Sequence, residues 1–212
     1  MTTVNPELRP PLQERTRRAW QRILDAGLEL LEDHGFDGVT IAALCKRAQV
    51  TPPTIYARAA SKEALLLALY EHALERISLS DTLDPSDPHW AELETERVIP
   101  EAVEVVSRIW LENAALMRAL VKRSGVDVET FRRGSSVSID LARRFRVVLL
   151  ARADVVRGAD AEERVDACFR IVYSAMVQRV MFGDGFESDL PLSDERLQAA
   201  LTVMVAAYLQ AS

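Results

Sequence analysis

The sequence predicts an all-α protein of about nine helices, with an N-terminal three-helix domain of helix-turn-helix type and a larger helical domain behind it. Three observations predict it. Apolar residues recur at three- and four-residue spacing along most of the chain, strand signals are absent, and two short segments near the N-terminus are each introduced by a helix-capping threonine. With 212 residues, 49% of them hydrophobic and 27% charged, and with only 8 Gly and 9 Pro, the chain has the balance of a globular protein with a working core.

The first helix is read over residues 12–34, where Ala19, Ile23, Ala26, Gly27, Leu30 and Leu31 share one face and Gly35 supplies the stop. Thr40 caps a second, two-turn helix, Ile41 to Ala48. After Gln49 and Val50, Thr51 is a second cap. Pro52 and Pro53 follow at first-turn positions, where a missing N–H costs little, and the third helix runs to about Ala57. Ser61 opens a fourth, kept apolar on one face by Leu65, Leu66, Leu69, Ala73, Leu74 and Ile77.

Residues 81–89, with Pro85 and Pro88, read as the principal loop. Further helices are expected over 91–111, divided or kinked at Pro100, then 114–124, 128–156, 161–182 and 193–210. Gly183-Asp184-Gly185 and Pro191 separate the last two. In the helix over 161–182, one apolar face is Val165, Cys168, Phe169, Val172, Met176 and Val180; a second includes Ala167, Ile171, Ser174 and Ala175. A helix apolar on two faces needs two partners. The second is expected to be the same surface of another copy, joined by Leu201, Met204, Val205 and Tyr208 of the final helix, which makes the protein a homodimer.

The formal net charge of −6 excludes a bulk polycation that coats nucleic acid, so any DNA contact has to come from a local patch. One window has that bias. Between Gly38 and Lys62 stand Lys46, Arg47, Arg58 and Lys62 and no acidic residue, on the very segment that reads as helix-turn-helix. Cys45 and Cys168 form no CxxC and imply neither zinc nor a disulfide framework, which points to a reducing, cytoplasmic location. The polar, proline-punctuated start, Met1 to Pro11, is no secretory segment, and no apolar run reaches the roughly 18 residues of a membrane span.

The rival reading is an enzyme or metal-binding helical bundle. His34, His72 and His89 complete no Glu-x-x-His pair of the di-iron type, and His72 with Glu75 reads as a surface pair. There is no Gly-x-Ser-x-Gly elbow, phosphate loop or dinucleotide fingerprint, so no catalytic residue, metal or cofactor is assigned. Gly134-Ser135-Ser136 reads as a small-residue packing site, and the arginines between 122 and 157 as helical ion pairs, with Asp140 three and four residues before Arg143 and Arg144.

The run Val39-Thr40-Ile41-Ala42-Ala43-Leu44, then Ala48-Gln49-Val50-Thr51-Pro52-Pro53-Thr54-Ile55-Tyr56, then Ser61-Lys62-Glu63-Ala64-Leu65, resembles the DNA-binding domain of the TetR/AcrR family of transcriptional regulators. The likeness extends over Arg17 through Leu67, about the first third of the chain. It implies a DNA-binding domain over 12–60 and a regulatory and dimerisation domain over 61–212. Thr40 and Lys62 would hold phosphates, Tyr56 would put its hydroxyl on a phosphate, and Thr51, Pro52, Pro53, Thr54 and Ala57 would face base edges. It also implies an unknown small-molecule effector, with Trp110, Asn113, Met117, Phe131, Phe145, Tyr173 and Met176 as candidate lining. The partners expected are thus operator DNA, a second copy and the effector, with no membrane. Gln49, Pro53 and Ala59 depart from the family pattern, where glycine, glycine and an aromatic are common, so a helical interaction module with weakened DNA binding is the second alternative.

Overall fold

The computed structural model describes residues 14–79, 83–152, 154–156 and 160–211. The expected helix and domain start at Leu12 lies outside them. Among the described residues there are ten α-helices and one 3-10 turn: α1 Glu14–His34, the turn Phe36–Gly38, α2 Ile41–Ala48, α3 Pro52–Tyr56, α4 Lys62–Leu79, α5 His89–Glu92, α6 Thr95–Glu112, α7 Ala114–Ser124, α8 Val128–Leu150, α9 Ala161–Phe182 and α10 Asp194–Gln210. The helix beyond the nine expected is the four-residue α5. None of the described helices is long and apolar enough to cross a membrane.

The chain packs as two compact units. The first holds the described residues up to Leu79 together with Ala115–Gly134. Its core is the buried faces of α1, α2, α3 and α4, with Ile23, Leu28, Leu31, Leu44, Ile55, Leu65 and Leu69 all removed from solvent. α1 and α4 approach closely at Gly27, where a Cβ would lie 2.2 Å from Leu69 Cδ2. Gly35 turns the chain out of α1 at φ 65°, and its amide closes on the Leu31 carbonyl at 2.9 Å.

Two caps follow expectation and one does not. Thr40 Oγ1 accepts from the Ala43 amide at 3.1 Å, and Ser61 Oγ from the Ala64 amide at 3.1 Å. Thr51 has the extended backbone of a cap, but its side chain receives no amide. Pro52 and Pro53 have none to give, and the Thr54 amide goes to the Thr51 carbonyl at 2.9 Å, so the two threonine hydroxyls pair with each other at 3.2 Å.

The second unit holds the described residues between 80 and 114 and from 135 onward. α6 packs on α9 and α10, burying Val98, Val103, Val106, Val165, Val172, Met176 and Leu209. Pro100 does not divide the helix: α6 runs through that residue, and the interruption falls at Leu93 and Glu94, both extended. Arg152 fixes it, donating from Nη1 to the Leu93 carbonyl and from Nη2 to Thr95 Oγ1 at 2.6 Å. α8 ends at Leu150, short of the expected 156.

Candidate nucleic-acid interface

α2 and α3 are joined through Gln49, whose φ of 53° and ψ of 49° place it in the left-handed region. A Val50 amide bond to the Cys45 carbonyl at 3.1 Å closes the turn. Leu44, Ala48 and Ile55 face inward, so the opposite side of α3 is free. That side carries Thr51, Pro52, Pro53, Tyr56 and Ala57, all exposed, with Thr54 half-buried between them. Tyr56 is 46% exposed, as a groove-edge hydroxyl requires and a core tyrosine is not. Thr40, Lys46 and Lys62 are also exposed, Thr40 at the start of α2 and Lys62 at the start of α4.

The other two cations of the window are differently placed. Arg47 spans from α2 to α1, with Nη1 2.9 Å from Asp33 and 3.3 Å from Glu29, and those carboxylates push its pKa up. Glu29 and Asp33, four apart on one face of α1, were the sequence signal for this contact. Arg58, expected among the exposed basic residues, is instead only 8% exposed, with its guanidinium 5.3 Å from the centre of the Trp20 ring. Ala59 beside it is fully buried. Trp20 of α1 is the aromatic that meets Arg58 at this corner, a contact that sequence reasoning missed because it joins residues nearly 40 apart.

The candidate effector residues are divided between the two units. Met117 and Phe131 belong to the first unit, where Phe131 is 58% exposed. In the second unit Phe145 and Met176 are fully buried, and Trp110, 2% exposed, meets Tyr173 edge-on at 5.0 Å. Asn113 Nδ2 donates to the Ile109 carbonyl at 2.9 Å. Tyr173 lines an open cavity of about 390 Å³ between α8 and α9, with Ser135, Ser138, Ile139, Ala142 and Phe169. Its hydroxyl meets Ser138 Oγ at 2.7 Å, and burial pushes its pKa up.

The candidate self-association face divides in two. Leu201 and Val205 turn into their own unit, since the same α10 must supply core to α6 and α9. Met204 and Tyr208 remain exposed, as do Ile171 and Ser174 of α9, with Ala167 and Ala175 half-buried beside them. Val203, not singled out in the sequence, is 68% exposed next to Met204.

The arginines between 122 and 157 are engaged in ion pairs: Arg133 with Glu71 at 3.3 Å, Arg143 and Arg144 with Asp140 at 3.0 and 3.1 Å, and Arg146 with Asp166 at 3.2 Å. His72 pairs with Asp25 at 3.1 Å as well as with Glu75 at 3.9 Å. Both cysteines are free, and burial raises the Cys168 thiol to about 11. No group of three His, Cys, Asp or Glu with metal-binding placement exists among the described residues.

A short helix pair with a tight turn, buttressed by a longer helix and presenting an apolar and hydroxyl-bearing front within a basic window, defines a helix-turn-helix DNA-binding domain. Residues 23–69 match the family described as bacterial regulatory proteins, tetR family. That match runs from within α1 into α4 and so covers the helix-turn-helix.

The A-factor receptor protein of Streptomyces griseus is 29% identical over 73 residues, 34% of this chain and 26% of that protein. The HTH-type transcriptional regulator UidR of Escherichia coli is 38% identical over 55 residues, 26% of this chain and 28% of that protein. The chain thus matches little more than a quarter of the length of these relatives. Solved structures share the fold over nearly the whole chain. A TetR-family regulator from Mesorhizobium loti has a TM-score of 0.69 at 16% identity, covering 93% of this chain and 98% of that one. Salmonella enterica GusR has a TM-score of 0.63 at 18% identity, covering 94% and 99%.

Proposed function

We propose that the protein is a one-component transcriptional regulator of the cytoplasm, and not an enzyme. As a homodimer it occupies a palindromic operator, represses by that occupancy, and answers to a small-molecule effector. The observation that carries the DNA reading is the free front of α3: Thr51, Pro52, Pro53, Tyr56 and Ala57 stand exposed in a window without a single carboxylate, inside an acidic chain. Thr40 and Lys62 flank that front as phosphate ligands, and Tyr56 adds a hydroxyl at its edge. The prolines and the Thr54 methyl favour thymine methyl groups over polar base edges.

Dimerisation is assigned to α9 and α10, through Ile171, Ser174, Met204 and Tyr208 with Ala167 and Ala175, because their outward faces stay apolar after α6 has been covered. The effector is assigned to the cavity beside Tyr173, whose volume falls in the range of about 300–1,000 Å³ typical of small-molecule sites.

Selection of bound duplexes from a random pool tests the reading. Enrichment of a palindrome is expected, with an affinity that falls steeply with salt, about 0.9 in log–log slope per phosphate contact. Recovery of no sequence at low salt, or affinity indifferent to salt, overturns it. On the selected duplex, Lys62→Ala and Tyr56→Phe weaken binding to all sequences alike, whereas Thr54→Ala changes base preference.

A further inference from the structure

Arg58 follows α3 directly, two residues beyond Tyr56 and four before Lys62. Its backbone is fixed, with the amide on the Ile55 carbonyl at 2.9 Å. Its side chain is a different matter. More than nine-tenths of the residue is removed from solvent, and Nε and Nη1 are shielded from water with no hydrogen-bond partner among the described residues. Among the described residues the Trp20 ring face meets the guanidinium, 5.3 Å away. Burial also pushes its pKa down, with no opposing carboxylate to raise it.

A guanidinium presents five donors in a planar fork and stays protonated at any working pH. Leaving such a group shielded without an anion is costly, and a ring face compensates only part of it. The window from Gly38 to Lys62 has no acidic residue, and Glu14, on the same helix as Trp20, already pairs with Arg17 and Arg18. Arg47, in the same window, found two carboxylates. An unsatisfied cation held at the end of the recognition helix, between two exposed groups assigned to phosphates, has the chemistry of a site whose partner arrives from outside.

We propose that Arg58 is a latched phosphate ligand: without DNA its guanidinium is parked on Trp20, and on DNA it leaves the ring and donates its unused N–H groups to a backbone phosphate. The proposal rests on the DNA-binding reading of the helix-turn-helix and deepens it. The unsatisfied charge is then a preorganised reserve. Binding releases its burial cost, and the protein gives up stability in the free state to hold it.

The test compares the wild-type chain with Arg58→Met and Arg58→Lys. Binding to a short duplex of mixed sequence is followed by fluorescence anisotropy from low to moderate salt, and thermal unfolding is followed without DNA. Arg58→Met is expected to lower the salt slope by about 0.9, one phosphate contact, while its melting temperature stays equal to or above that of wild type. Arg58→Lys keeps the slope, since an ammonium still reaches phosphate. The indole emission of wild type changes on DNA addition as the cation leaves the ring, and Trp20→Phe abolishes that change. An unchanged slope in Arg58→Met, or a variant that melts earlier or fails to fold, makes Arg58 a packing residue and overturns the latch alone. A wild-type chain that binds no duplex overturns the DNA-binding reading and the latch with it.

Discussion

The Tyr70 hydroxyl stands 2.8 Å from Ser124 Oγ, and Gly134 leaves the space that this pair needs, since a Cβ at residue 134 would lie 2.5 Å from the same hydroxyl. Tyr70 is 1% exposed, with its ring 6.3 Å from Phe36 at the turn between α1 and α2, and Arg123 lies over the other partner, 5.8 Å from the Phe36 ring centre. α4, α7, the start of α8 and the entry to the helix-turn-helix are thus tied within one unit. Tyr70→Phe is expected to lower the free energy of unfolding by about 1 kcal/mol, measured in urea. Gly134→Ala, which pushes into a tyrosine that has nowhere to go, costs about 1–3 kcal/mol.

Gln49 closes α2 in a conformation that favours glycine. Gln49→Gly removes the left-handed penalty but adds chain entropy in the unfolded state, and the balance is a gain of about 0.5 kcal/mol. For a chain of this size that corresponds to roughly 1–2 °C in melting temperature, read by calorimetry. A lower melting temperature would show that the Gln49 side chain contributes more than its backbone costs.

Neighbours on α10 should separate packing from association. Met204 is 58% exposed and Val205 2%. Met204→Arg is expected to remain folded, with an unaltered helical circular dichroism spectrum, and to elute as a monomer where wild type elutes as a dimer. Val205→Arg buries an unpaired charge and is expected not to fold. A Met204→Arg protein that still dimerises would move the interface away from α10.

His89 Nε2 meets Glu101, whose carboxylate raises the imidazole pKa. A folded-state pKa above the unfolded value of about 6.5 means that the pair stabilises fully below that value and loses its effect as pH rises through the folded pKa. His89→Gln is therefore expected to reduce stability at about pH 5.5 and to leave it unchanged at about pH 9. A difference that persists at the alkaline end would assign the loss to packing against Trp90 rather than to charge.

The local part of this molecule was legible in the sequence. Thr40, Ser61, Gly35, Gln49 and the two prolines at the start of α3 act within three or four residues of themselves, so the positions of α2, α3 and α4 follow from chain chemistry alone. The basic window and the exposed Tyr56 follow in the same way, because a short helix with one apolar face has only one face left to expose. Even the exception at Thr51 has a local cause, two adjacent residues without amides.

What the tertiary structure decided are the choices between equivalent faces and distant partners. The apolar spacing of α10 includes Leu201, Met204, Val205 and Tyr208 alike, and only packing against α6 and α9 turns two of them inward and leaves the others exposed. The basic residues Lys46, Arg47, Arg58 and Lys62 look equal in sequence. Contact with α1 divides them, sending Arg47 to Glu29 and Asp33 and Arg58 to Trp20, and leaves Lys46 and Lys62 to the solvent. Periodicity reports that a face is apolar or a residue charged. Which surface meets it is set by contacts between residues far apart in the chain, and those exist only once the helices have packed.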